Sequence, residues 1–217
     1  MAYQAPVRDQ MFILRDVLEL ENYASLPGFA DASLDLVEQV LTEGAKFCEE
    51  VLAPINRTGD LEGCAWSPDN TVRTPKGFKE AYAAMVQAGW PALSAEPEYG
   101  GQGLPRLIGL AYSEMSSSAN MAFSMYPGLT HGAYSAILAG GSDDQKALYL
   151  PKLATGQWGG TMNLTEAQCG TDLGLLRTKA IPEPDGTYRI SGQKMFASIA
   201  NETDVGVLFA KRWFQNA

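Results

Sequence analysis

A chain of 217 residues with 46% apolar and 10% aromatic side chains has enough hydrophobic material to bury the core of one large domain or two small ones. Its net charge of -9, from 25 acidic against 16 basic residues with no basic cluster, excludes a surface built to track nucleic-acid phosphates. Three cysteines without C-x-x-C spacing, and a single histidine, His131, with no partner at metal-ligand spacing, give no basis for a disulfide framework, a metal site or a Ser-His-Asp hydrolase. No apolar run has the length of a helical membrane span, and residues 1 to 6 lack a basic segment followed by an apolar one. The expectation is a soluble protein of the reducing cytoplasm.

Residues 1 to 32 read as an arm packed on the body: an extended start with Pro6, an apolar-rich stretch from Met11 to Leu18, and the breaker Pro27-Gly28. Ser33 then offers an N-cap, Asp35 sits in the first turn, and Leu34, Val37, Leu41, Cys48 and Leu52 recur at helical spacing up to Pro54. This predicts an amphipathic helix over 33 to 52 with Cys48 in its buried stripe. Thr74-Pro75 supplies a cap with proline at the first helical position, and Phe78, Ala81, Tyr82, Met85 and Val86 predict a second helix ending at Gly89. The glycines between Glu96 and Pro105 are not spaced G-x-G-x-x-G and sit in no βαβ unit, which argues against a dinucleotide fold.

From 105 to 140, Met115, Met121, Phe123, Met125 and Tyr126 among small residues predict a buried helix pair. The same adaptable side chains would also suit the wall of an apolar ligand cavity. His131 reads as a core or subunit-contact residue of this pair. Gly140-Gly141 ends it, and Ser142 with Gln145 forms a capping box for a helix running to Ala154.

The character changes at Thr155-Gly156. Trp158 to Leu164, Leu176 to Ile181, Thr187 to Ser191, Met195 to Ser198 and Val205 to Lys211 read as strands, with Pro184-Asp185-Gly186 as a hairpin turn. A boundary near 156 separates a helical domain, 33 to 156, from a β part, 157 to 217. The expected class is α+β: an N-terminal all-helical domain followed by part of an antiparallel β-barrel-like domain. Short strands ending without a closing partner would leave apolar edges, so the β domain is expected to be partial.

Between Met162 and Asp172 a short extended run opens into a loop of small and hydroxylated residues. Thr165 and Thr171 can give or accept hydrogen bonds, and Gly170 admits the backbone to a planar or phosphorylated ligand. On composition alone an ordinary polar loop is the commoner explanation.

Two motifs bear on that choice. Met162-Asn163-Leu164-Thr165-Glu166, followed by Gly170-Thr171-Asp172 and Lys179-Ala180, resembles the acyl-CoA dehydrogenase signature L-T-E-P-x-A-G-S/T-D, and Ile190-Ser191-Gly192-Gln193-Lys194-Met195-Phe196 resembles that family's I-x-G-x-K-x-W/F segment. Tyr99-Gly100-Gly101-Gln102-Gly103, Asp144-Gln145-Lys146 and Tyr149-Leu150-Pro151 extend the resemblance over nearly the whole chain. Tyr3-Gln4-Ala5-Pro6, with Phe12 and Leu14, is similar to the subgroup with an extended N-terminus that includes 3-methylmercaptopropionyl-CoA dehydrogenases.

The resemblance implies a helical N-terminal domain, a β middle domain and a C-terminal helical bundle, with FAD held between domains and across a subunit interface of a homo-oligomer. It implies an acyl-CoA substrate and electron-transfer flavoprotein or a similar acceptor. Residue by residue, Met162, Leu164 and Thr165 would lie against the flavin ring, with the Thr165 hydroxyl on a ring heteroatom. Gly170 and Thr171 would meet a phosphate or the CoA portion, so that Thr171 also binds substrate. Phe196 and Ser198 would cover the flavin and approach its N5, and the Met and small residues of 115 to 127 would line the acyl pocket. Ala167 stands where the family has proline and Cys169 where it usually has alanine. The family's glutamate base belongs to the C-terminal bundle, so neither Glu114 nor Glu166 takes that role and no catalytic residue is expected here. The chain is thus expected to be a shortened FAD-dependent acyl-CoA dehydrogenase, inactive by itself. The alternative is a non-catalytic relative that binds acyl-CoA or pairs with a homologous subunit.

Overall fold

The structure, a computed structural model, describes residues 2–69 and 71–195, together with the backbone of strands at 205–208 and 211–212. Residues 2–6, ending at Pro6, carry no helix, as expected, and the rest of the arm is helical: α1 (Val7–Phe12) runs through a π turn (Ile13–Val17) into a 3-10 turn (Leu20–Tyr23). Met11, Leu14 and Leu20 reach from it into the main core. Polar contacts fix the same segment, since Tyr3 Oη donates to the Met115 carbonyl (3.0 Å) and Gln10 Nε2 to the Ala111 carbonyl (2.9 Å).

Helix α2 (Leu34–Phe47) opens at Ser33, whose hydroxyl accepts from Leu36 N at 3.3 Å. The expected stop at Pro54 does not occur, because a π turn (Cys48–Leu52) carries the chain into α3 (Ala53–Glu62). Pro54 then falls in the first turn of α3, directly after the π turn. Cys48 is fully buried as expected, and burial, followed by the Glu49 charge, pushes its thiol up to about 12. A two-residue ribbon, β1 (Ala65–Trp66) with β2 (Val72–Arg73), interrupts the helices, too short to have shown any alternation. Helix α4 (Phe78–Gln87) begins after Gly77, three residues beyond the expected cap at Thr74, since Gly77 is left-handed (φ 89°) and ends the preceding turn.

The predicted helix pair is α5 (Arg106–Ala119) and α6 (Met121–Gly140), hinged at Asn120. Asn120 is 1% exposed; its side-chain oxygen accepts from Phe123 N (3.0 Å) and its amide donates to the Leu52 carbonyl (3.2 Å), tying the start of α6 to the π turn. The capping box at Ser142 and Gln145 opens α7 (Asp143–Ala154) as expected.

Past Thr155 the chain turns to strands, and the class is α+β, a helical N-terminal domain followed by short sheets. Strand β3 (Gly160–Asn163) pairs in parallel with β6 (Val205–Leu208). Strand β4 (Lys179–Pro182) pairs antiparallel with β5 (Tyr188–Ser191) and in parallel with β7 (Lys211–Arg212). The antiparallel pair is the predicted hairpin, where Asp185 Oδ1 accepts from Thr187 N (2.9 Å) and Thr187 Oγ1 (2.6 Å). The parallel pairs join segments far apart in the chain, as parallel pairing requires. The expected strand at 195–198 lies outside the described residues except for Met195.

Helix α6 packs on α5, α7, α3 and β3. Its seam with β3 is made of small residues: a Cβ placed on Gly160 would stand 2.8 Å from Ala133 Cβ, and Thr130 Oγ1 accepts from Gly160 N at 3.1 Å. The strand that leads into the Met162–Asp172 loop is thereby held against the helical body. Among the described residues no helix is long and apolar enough to cross a membrane.

Candidate functional site

The loop after β3 is built on a buried charge. Glu166 is 4% exposed, and its carboxylate accepts from Arg177 N (2.8 Å), Thr178 N (2.9 Å), Gln168 Nε2 (2.6 Å) and Lys194 Nζ (3.0 Å). Lys194 Nζ donates a second bond to the Leu164 carbonyl at 2.9 Å. A carboxylate can remain charged in such a place only when paired and fully hydrogen-bonded. The amides of Thr178 and Arg177 and the Lys194 ammonium hold the Glu166 carboxyl well below the usual range, outweighing the upward push of desolvation.

This clamp joins the two sequence motifs. Besides the Lys194 bonds, Met195 N donates to the Thr165 carbonyl at 3.0 Å, so 164–166 and 194–195 run side by side. Reciprocal backbone bonds between Glu166 and Cys169 (2.8 and 3.0 Å) close the turn between them. Cys169 is buried under that turn, and Ala167, in the proline position, is exposed.

Met162, Leu164 and Thr165 are half-buried along β3 and the first residues of the loop. The Met162 thioether lies over α6, with its Cε 2.7 Å from where a Cβ on Gly132 would stand. Gly170 comes back beside Thr165, whose Cγ2 is 3.7 Å from a Cβ placed there, while Gly170 and Thr171 are exposed. Among the described residues, neither the Thr165 nor the Thr171 hydroxyl is bonded to another residue. The structure therefore brings Met162, Leu164, Thr165 and Gly170 together, with Thr171 next along the exposed face. Phe196 and Ser198 lie outside the described residues.

Sequence reasoning kept Glu166 from a catalytic role but did not find its structural one, nor did it single out Lys194. The available signal was an acid inside one motif and a base inside the other.

A second feature is a cleft of about 180 Å³ between α5, α6 and the turn at Trp90–Ala92. Trp90 and Tyr112 stack in its wall with ring centroids 4.6 Å apart and planes at 11°. The methionine-rich stretch divides: Met115 and Phe123 are buried, whereas Met121 (61%) and Met125 (53%) are exposed and do not line the cleft. His131 is not a core residue; it keeps an exposed edge at the cleft. Desolvation against the wall, then the Arg106 charge, pushes its imidazole below the ordinary histidine value.

Residues 37–157, more than half of the chain, match the family model for the acyl-CoA dehydrogenase N-terminal domain. The chain belongs to the acyl-CoA dehydrogenase family. One relative is the 3-methylmercaptopropionyl-CoA dehydrogenase of Ruegeria pomeroyi, 46% identical over 196 residues that cover 90% of this chain and 33% of that protein. That name agrees with the subgroup suggested by the N-terminal residues. Butyryl-CoA dehydrogenase from Megasphaera elsdenii superposes with a TM-score of 0.69 at 26% identity, over 81% of this chain and 44% of that one. An acyl-CoA dehydrogenase from Bacillus anthracis, solved in complex with FAD, superposes with a TM-score of 0.68 at 25% identity, over 82% of this chain and 29% of that one. The chain spans about a third of the length of the curated relatives it matches.

Proposed function

We propose that the chain supplies the helical N-terminal domain (33–156) and the cofactor-facing edge of the β part (157–217) of an FAD-dependent acyl-CoA dehydrogenase. The observation that carries this reading is the Glu166–Lys194 clamp, which fixes the backbone of Leu164 and Thr165 while leaving the Thr165 and Thr171 hydroxyls unspent. The residues present fit FAD: apolar side chains at Met162 and Leu164 suit a ring face, and free hydroxyls at its margin suit ring heteroatoms and phosphates. Asn163 Oδ1, buried without a partner beside them, is a further acceptor in reserve.

Bound FAD would supply the hydride acceptor for α,β-dehydrogenation of an acyl-CoA thioester. Thr165 would bond the ring edge, Gly170 and Thr171 a phosphate or the CoA portion, and Phe196 and Ser198 would complete the cover. The cleft between α5 and α6 would take the acyl group. None of the described acids is assigned as the base, because Glu166 spends both oxygens on the clamp and Glu114 accepts from Gln10. Electron-transfer flavoprotein or a similar acceptor would reoxidise the holoenzyme, a homo-oligomer.

Titration of the purified chain with FAD, followed by flavin fluorescence, tests the reading. Thr165→Val is expected to raise the Kd about tenfold, the loss of one hydrogen bond. Absence of FAD binding, or an unchanged Kd for Thr165→Val, would contradict it.

A further inference from the structure

The cleft between α5 and α6 has apolar walls and a basic rim. Met85, Leu93 and Phe123 lie buried in the walls, whereas Arg106 and His131, the two basic residues that line the cleft, are both exposed. An occupant can therefore meet both without entering the core. No Asp or Glu lines the cleft, in a chain that carries 25 acids against 16 Lys and Arg. Glu114, the one acid of α5, accepts from Gln10 instead. Arg106 forms no ion pair among the described residues.

The surroundings of His131 hold no counter-charge either. The titratable groups that share a cleft with it are Arg106 and Tyr112 from α5, Tyr82 from α4 and Tyr134 from α6 itself. Three are phenols and the fourth is a cation. Tyr134 stacks beside the imidazole, with ring centroids 6.4 Å apart and planes at 18°, and the Arg106 charge is felt there, adding to desolvation in pushing the imidazole down. Two bases that repel each other across an acid-free cleft are a pair that a bound anion would relieve.

We infer that Arg106 and His131 form a carboxylate-recognition site at the rim of the cleft, so that the chain favours an acyl group ending in a carboxylate over a neutral one of the same shape. The inference rests on the acyl-CoA reading of the cleft. The planar guanidinium can take both carboxylate oxygens, and the imidazole can donate to one of them whether neutral or protonated. The apolar walls would take the methylene chain.

Two ligands separate the cases: adipyl-CoA and 6-methylheptanoyl-CoA, which carries an isopropyl group in place of the carboxylate, each titrated calorimetrically into the untagged chain with FAD present. Adipyl-CoA is expected to bind about three- to tenfold more tightly at low ionic strength. Arg106→Gln should bring that ratio close to one. His131 gives a second readout, because it is the only histidine and its ring protons titrate alone in the NMR spectrum. Its pKa should rise when adipyl-CoA binds and not when the neutral ligand does, since only the carboxylate favours the imidazolium. Equal affinities with an unmoved His131 would overturn the site while leaving the acyl-CoA reading intact, and binding of neither ligand would overturn both. An equal loss of both ligands in Arg106→Gln would place the anion in the CoA phosphates and overturn the carboxylate assignment. A preference that survives Arg106→Gln would overturn it as well.

Discussion

Lys194 Nζ lies 3.0 Å from Glu166 Oε1 and 2.9 Å from the Leu164 carbonyl, with the two side chains only 8% and 3% exposed. One ammonium thus holds both the acid and the backbone of the loop that carries Thr165. Removing it should leave a buried carboxylate without its cation.

Lys194→Met is expected to lower the Tm by more than about 5 °C. Adding Glu166→Gln to that variant should recover part of the loss, because the uncompensated charge is then gone. Thermal melts of the two single variants and the double variant measure the coupling, and strict additivity would deny the clamp.

The same group sets an acid dependence. The Glu166 carboxyl is depressed in the folded state, so below the ordinary glutamate value of about 4.3 the unfolded chain binds the extra proton first. The stability that Glu166 contributes is present above that value and is lost as the pH falls through the folded one. Melts between pH 7 and pH 3 should show a steep drop below about 4.3, shallower in Glu166→Gln.

At the seam between α6 and β3, Gly132 leaves room for the Met162 side chain, whose Cε would stand 2.7 Å from an added Cβ. Gly132→Ala should change stability by less than about 1 kcal/mol, because the Met162 tip can move aside and alanine favours the helix, yet it should weaken FAD binding by displacing Met162. Urea denaturation checks the first statement and FAD titration the second.

Asn120 caps α6 and bonds the Leu52 carbonyl from a fully buried position. Asn120→Ala should cost about 2 kcal/mol, the loss of the cap together with an orphaned carbonyl. Asn120→Asp keeps the cap acceptor but has no amide for Leu52, and should also be less stable than the parent. Urea midpoints of the three proteins give the order.

Where a few adjacent residues determine a feature, the sequence was sufficient. Ser33 and the Ser142/Gln145 box start helices where expected, and Pro184-Asp185-Gly186 makes the hairpin. The continuation past Pro54 was hidden because a π turn shifts the register ahead of the proline. Parallel pairing of β3 with β6 depends on the whole fold and is written in neither strand. At the site, the motif residues Met162, Leu164 and Thr165 could be picked out together. The Glu166–Lys194 pair could not, since its members are 28 residues apart and only the fold makes them neighbours.

Hydrogen exchange with and without FAD tests the assignment of the Met162–Thr171 edge most directly. Binding is predicted to slow exchange in peptides covering residues 160–171, while the β4–β5 hairpin at 179–191 stays unchanged. FAD binding with no added protection at 160–171, or with protection confined to the hairpin, would contradict it.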